Sequence, residues 1–279
     1  MERGPEEVVL RAVRLPEDMP GLFDRIEAFG PARLGCGDAS CRIEVDARWC
    51  RVPASARRLA LVAADSPQCL PARLEADPRR WARGFALEML SPRGAVWRRL
   101  QFHDVCGQTV LTLEWRSPVP TLAWESLLAC GSEGLAWTAP TGFDAHPAAG
   151  VPVDPAWRQG CDIEVLHQIL NEARLQRLAL QAEVGGEAAR LQIGFMPEQV
   201  ALCMRRRRLT VRGEARLWQL DEMRLARLEL VGHASARGLH QRLELGGPGG
   251  ELLARLGPAA SAGRGDPCGW RLALQQALN

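Results

Sequence analysis

The chain has 279 residues, of which 47% are hydrophobic and 24% charged, with a formal net charge of +2. This is the balance of a folded globular protein rather than a disordered chain, and the length suits two domains or one large one. All 35 basic residues are Arg and Tyr is absent, which excludes a Schiff-base lysine, a Walker-type phosphate lysine and a tyrosine nucleophile.

In chain order, the start Met1-Glu2-Arg3-Gly4-Pro5-Glu6-Glu7 lacks the apolar core of a signal peptide. No run of about 18 apolar residues predicts a membrane span anywhere. Met19 to Phe29 places Leu22, Phe23, Ile26 and Phe29 at helical spacing and predicts a helix. The nine Cys are scattered, without a Cys-x-x-Cys pair or a His at zinc spacing. Cys36 and Cys41 lie close enough to share a metal, but no second pair completes a site, so the reading is free thiols in a reducing cytoplasm. Arg58-Leu59-Ala60-Leu61-Val62 is strand-like. Leu100-Gln101-Phe102-His103 alternates apolar and polar, Asp104 to Gly107 supplies turn chemistry, and Val110 to Leu113 returns, predicting a β-hairpin.

Residues 131–154, rich in Gly, Pro and Ala and without periodicity, read as a linker. Asp154 is then a candidate N-cap with Pro155 at the first helical position, so a helix is expected from about Trp157 onward. Ile163, Leu166, Leu170 and Ala173 give it one apolar stripe, and Glu164, His167, Asn171 and Arg174 a polar one. Val200 to Met204 and Leu209 to Val211 are strand-like and flank Arg205-Arg206-Arg207-Arg208. That run reads as an exposed hairpin tip rather than a nucleic-acid site, because no aromatic platform interleaves it. Leu243-Glu244-Leu245, a turn through Gly246 to Gly250, and Leu252 to Leu256 predict a second hairpin.

The two hairpins belong to a repeat. Sliding the sequence by 143 positions lays Ala72-Arg73-Leu74 on Ala215-Arg216-Leu217, Arg99-Leu100 on Arg242-Leu243, Gly107 on Gly250 and Leu113 on Leu256. The fold class is therefore α+β: two tandem structural repeats, each an antiparallel β-sheet with accompanying helices. Residues 1–130 form the first, 155–279 the second, and 131–154 the linker.

Trp81-Ala82-Arg83-Gly84-Phe85-Ala86, the hairpin Arg98-Arg99-Leu100-Gln101-Phe102-His103-Asp104, and Trp157-Arg158 with Asp162 five residues after Trp157 resemble the bacterial haemin-degrading and haem-trafficking factors of the HemS/ChuS type. The resemblance spans most of the chain. It implies a cytoplasmic protein with a cleft for one haem, whose iron is held by a His two residues after that Asp. Here the position is Glu164, and the next His is His167, one helical turn further, which makes His167 the expected iron ligand. The resemblance also implies propionate contacts from Arg177, thirteen residues after the ligand position, and from Arg98 on the hairpin. A neutral imidazole is a common axial ligand of haem iron, and a guanidinium matches a carboxylate with paired donors. His103 replaces an aromatic of the family and is read as lying on the outer side of its strand. The family's late-sheet aromatic and Arg align with Glu229 and Gly232, with His233 and Arg237 nearby. Their loss favours binding and delivery of haem over efficient degradation, with a haem oxygenase or haem transporter as the expected partner. The competing reading is a degenerate repeat protein that no longer binds haem and acts as a scaffold or regulatory partner. Glu164 and the missing Arg favour that reading; His167 and Arg177 favour haem.

Overall fold

The computed structural model describes residues 8–16, 19–54, 58–64, 70–90, 94–116, 119–133, 155–235, 238–259 and 267–278. The first repeat contributes β1 (Val8–Arg14), β2 (Ala32–Gly37), β3 (Cys41–Ala47), β4 (Trp49–Arg51), β5 (Leu59–Ala63), β6 (Ala72–Ala76), β7 (Arg83–Leu90), β8 (Val96–His103), β9 (Thr109–Trp115) and helix α1 (Thr121–Ala129), and the start of the expected linker forms the short strand β10 (Ser132–Glu133). The second contributes β11 (Trp157–Gly160), α2 (Ile163–Leu175), β12 (Leu180–Gly185), β13 (Ala189–Phe195), β14 (Gln199–Cys203), β15 (Arg208–Gly213), β16 (Arg216–Asp221), β17 (Arg227–Ser235), β18 (Gly238–Gly246), β19 (Leu252–Pro258) and α3 (Pro267–Leu278). The expected α+β repeat is present, and both hairpins form, β8 with β9 and β18 with β19.

The two repeats are not two separate sheets. One sheet runs β10-β1-β7-β8-β9-β2-β3 and continues into β16-β15-β14 of the second repeat. The other runs β11-β17-β18-β19-β12-β13 and continues into β6-β5-β4 of the first. Each repeat thus lends a three-stranded ribbon to its partner's sheet in the same place, a pseudo-twofold exchange. The joins are in register: Leu74 of β6 opposes Leu191 of β13, and Trp218 of β16 opposes Ile43 of β3. The alternation of each strand decides what the joins bury, because successive side chains point to opposite faces. Leu74, Leu191, Ile43 and Trp218 all fall on the core side and are essentially inaccessible.

The two sheets approach most closely where the turns β2–β3 and β12–β13 cross. Gly37 and Gly185 occupy equivalent places there, with φ of +100° and +101°. A β-carbon on Gly37 would lie 2.6 Å from Val184 Cγ1, and one on Gly185 would lie 2.8 Å from Cys36 Sγ. The Cys36 thiol donates across the repeats to the carbonyls of Ala189 (3.4 Å) and Val184 (3.6 Å). Burial pushes both the Cys36 and the Cys41 thiol up to about 12, and Trp218 Nε1 donates to Cys41 Sγ at 3.2 Å. These are packed, protonated thiols.

The opposite face of each sheet carries alternating charge. On the second sheet Arg158 reaches Glu229 (2.8 Å) and Glu244 (3.1 Å), and Arg255 bridges Glu244 (3.2 Å) to Glu183 (2.6 Å). The ladder then passes through Arg190 to Glu75 (2.8 Å) on the exchanged ribbon. Burial would push the Glu244 carboxyl up, but Arg242 and Arg255 overrule it and hold it below the usual carboxylate range. Glu114 on the first sheet is likewise held low against its burial by Arg99 and Arg116. The planar guanidinium suits such ladders, because one Arg can serve two carboxylates at once.

Two predicted helices differ from expectation. Met19–Phe29 is a 3-10 helix, with Phe23, Ile26 and Phe29 buried against Trp81, Phe102 and Trp115. The helix expected from Trp157 begins only at Ile163, with Asp162 at its N-cap position. Trp157 to Gly160 instead pairs along Gly232 to Glu229 as β11, because an open sheet edge offers those backbone groups partners. Asp154 and most of the expected linker lie outside the described residues.

The crossing yields a direct test. Gly185→Ala adds a left-handed penalty to an intrusion on Cys36 and Ala189 and should cost about 2–4 kcal/mol in denaturant unfolding. Gly30, with φ +79° and open space around it, should cost only about 1 kcal/mol on the same change. Equal costs at the two positions would show that the crossing has room to spare.

Candidate functional site

Helix α2 packs one face into the core through Val165, Leu166, Ile169, Leu170 and Ala173, which fixes where its polar face looks. Glu164 is exposed, and His167 is half-buried one turn further on. His167 Nε2 lies 2.5 Å from Glu222 Oε1. Glu222 opens the short 3-10 turn Glu222–Arg224, and its side chain is 2% exposed. Its other oxygen faces Arg207 Nη2 at 3.2 Å, and the Glu222 N–H donates to the Arg207 carbonyl at 2.9 Å. Arg207 takes a left-handed φ of 48° at the tip of the β14–β15 hairpin. The Arg205–Arg208 run is therefore a hairpin tip as expected, but one of its members turns inward. Glu222 and Arg207 are the members of this cluster that the sequence did not disclose. No spacing rule marks them, since they meet His167 only through the placement of β14, β15 and the turn after β16.

This arrangement constrains what His167 can bind. With Nε2 held by Glu222, the ring nitrogen left for a metal is Nδ1. A carboxylate on the far nitrogen is the usual support of a metal-binding imidazole, fixing its tautomer and ring orientation. Among the described residues no three His, Cys, Asp or Glu side chains converge as a metal site.

Arg177 follows α2 directly. It is exposed and left-handed, with φ 54°, and Leu178 N–H reaches back to the Ala173 carbonyl at 2.8 Å. That closes the helix in the position where Gly is usual. Arg98 lies on β8, facing the core side under α1. Its Nη1 donates to the Val119 carbonyl (2.8 Å), its Nε approaches Glu88 (3.4 Å), and its guanidinium sits 5.5 Å from the Trp124 ring centroid. His167 and Arg177 thus share one helix and its end, whereas Arg98 is already engaged in seating α1 on the first sheet. No bond or ion pair joins any two of the three among the described residues.

The remaining candidates are distributed by strand alternation. His103 does lie on the side of β8 away from the aromatic core, but it is 4% exposed rather than solvated. Its Nδ1 meets the Gly107 carbonyl at 3.1 Å, its ring stands edge-on to Phe85, and burial lowers its pKa. Gly232 and Glu229 face opposite sides of β17. Gly232 is covered by Trp157, whose indole a β-carbon would strike, while Glu229 is tied to Arg158. The pair therefore cannot line one pocket together. His233 comes up on the Glu229 side, with its pKa lowered by burial and by Arg242. Arg237 lies outside the described residues.

Comparison of the sequence with protein-family models gives no match, and neither does comparison with curated proteins. The fold does match solved structures. The Escherichia coli O157:H7 heme degrading enzyme ChuS aligns with a TM-score of 0.76 at 18% identity, covering 96% of this chain and 87% of that one. Holo-PhuS, a heme-binding protein from Pseudomonas aeruginosa, aligns with a TM-score of 0.75 at 20% identity, covering 95% of this chain and 86% of that one. The fold implied by the sequence resemblance is thus the fold found, over nearly the whole chain. Among the described residues no helix is long and apolar enough to cross a membrane.

Arg177 provides a stability test of its position. Arg177→Gly should raise unfolding stability by about 1 kcal/mol, because Gly adopts the left-handed closure without a Cβ penalty. A loss of stability would mean that the Arg177 side chain contributes more contact than its backbone costs.

Proposed function

We propose that this protein binds haem and hands it on within the cytoplasm, with α2 as the heart of the site. The observation that carries the reading is the fold shared with ChuS and PhuS over at least 95% of this chain. The residue chemistry of α2 supports it. His167 offers an imidazole whose far nitrogen is anchored on a buried carboxylate, and Arg177 sets a guanidinium beyond the same helix. Haem supplies the iron and two propionates; His167 would hold the former and Arg177 pair with the latter. Arg98 can join only by releasing Val119 and Glu88, so its contribution is secondary.

Delivery is favoured over breakdown. Oxidative opening of haem needs donors on the side of iron away from the protein ligand. Gly232 presents no side chain and lies beneath Trp157, and Glu229 faces the other way in an ion pair. A haem oxygenase or a haem transporter is the class of partner that would take the cargo. One observation favours the competing reading of a scaffold without haem: the Arg98 guanidinium already has protein partners.

An absorbance titration of the purified protein with hemin decides between them. The haem reading predicts a saturable, shifted Soret band. His167→Ala should move that band and weaken binding at least tenfold, about 1.4 kcal/mol. Arg177→Ala should cost less, because an exposed charge pair is screened by water. A Soret response that never saturates, or one indifferent to His167→Ala, contradicts the assignment.

A further inference from the structure

The charges around His167 are unequal in a way that the fold itself enforces. The Glu222 side chain is 2% exposed, and its Oε1 is the atom bonded to His167 Nε2. Its Oε2 faces Arg207 Nη2 at 3.2 Å but has no hydrogen-bond partner among the described residues. The Arg207 side chain is 44% exposed, so water screens that cation far more than it screens the buried carboxylate. Glu164 and Arg174, the other charged groups of the polar stripe of α2, are exposed as well. The balance of charge felt by the ring is therefore negative and enters along Nε2.

The carboxylate is also held in place. Asp221 N–H donates to the Ser40 carbonyl at 2.8 Å, and Glu222 N–H to the Arg207 carbonyl at 2.9 Å. The Asp221 side chain accepts from Met223 N–H at 3.1 Å, closing the turn that carries Glu222. A metal bound at Nδ1 draws electron density from the ring, and more so the higher its charge. That strengthens the charge-assisted bond from Nε2–H to Oε1, so the carboxylate favours a trivalent ion over a divalent one. Hydrogen bonding of this kind is one of the levers by which a protein sets the oxidation state of haem iron.

Resting on the haem reading above, we infer that Glu222 is a positioning residue that makes the α2 site prefer ferric to ferrous haem, and that Arg207 moderates this preference. The extra positive charge of the ferric iron is answered by a buried carboxylate one imidazole away. Arg207 is the counterweight, weakened by its exposure and by the missing hydrogen bond to Oε2. Removing the carboxylate and removing the guanidinium therefore act in opposite directions, a signature that loss of packing does not produce.

Gallium(III) and zinc(II) protoporphyrin IX test this, because they share the macrocycle and both propionates and differ by one metal charge without redox chemistry. Fluorescence titration of the full chain with each gives the ratio of the two affinities. Glu222→Gln keeps the shape and an acceptor for Nε2–H but removes the charge, and should lower the gallium-to-zinc ratio at least tenfold. Glu222→Asp should lower it less, and Arg207→Gln should raise it. In a His167→Ala background Glu222→Gln should leave the ratio unmoved, since the carboxylate acts through the ring. With haem itself, a tenfold change corresponds to a reduction potential about 59 mV higher in Glu222→Gln. Equal weakening of both porphyrins by Glu222→Gln, as a purely structural role would give, overturns the inference and leaves the haem reading intact. So does a ratio that Arg207→Gln fails to raise. Saturable binding of neither porphyrin to the parent chain overturns the haem reading, and this inference with it.

Discussion

Two β-turns, one from each repeat, cross at Gly37 and Gly185 without space for a side chain, and the rest of the molecule is arranged around that crossing. The left-handed backbone at both positions lets β2–β3 and β12–β13 approach until Cys36 meets the carbonyls of the opposite repeat. With the sheets so close, the ribbon β4–β6 continues the sheet of the second repeat and β14–β16 continues that of the first. Each sheet then hides one edge under a strand from the other repeat, which removes two exposed edges that would otherwise invite aggregation. The polar faces are bound into the same exchange, since the ladder on the second sheet continues onto Glu75 and Arg73 of a borrowed strand.

The exchange also decides where chemistry can occur. It carries the β14–β15 hairpin and the turn after β16 away from the main sheet of their own repeat, and these elements bring Arg207 and Glu222 to α2. His167 therefore stands against a buried carboxylate rather than open solvent. Between the repeats, the four hairpin turns β2–β3, β8–β9, β12–β13 and β18–β19 and the β6–β7 crossover leave a cavity of about 610 Å³. Flank and cavity are thus separate surfaces generated by one topological device.

Much of the fold was legible in the sequence because it rests on local periodicity. Both hairpins, the strands flanking the arginine run and the apolar stripe of α2 follow from alternation and helical spacing, and the 143-position shift revealed the repeat. The exchange was not legible. Leu74 and Leu217 lie within strands that alternate equally well whether they pair at home or abroad, so nothing local distinguishes the two. The same limit hid β11: Pro155 and Trp157 suit a helix start, but the edge of β17 supplied partners for the backbone and the strand prevailed. For the site, residue identity on α2 was readable, whereas the environment of each group was not. His167 was readable as a polar-face histidine, yet its bond to Glu222 spans 55 positions and depends on the ribbon. Arg98 was matched by position in a motif, and only the packing of α1 shows that its donors are already in use.

A crystal structure of the full chain grown with hemin tests the haem assignment most directly, because it reports the iron ligand and the location of the macrocycle together. The assignment predicts iron in direct bonding contact with His167 Nδ1, the Nε2–Glu222 bond retained, and a propionate toward Arg177. Iron bound elsewhere, or hemin lodged in the cavity between the repeats with His167 still turned only to Glu222, would contradict it.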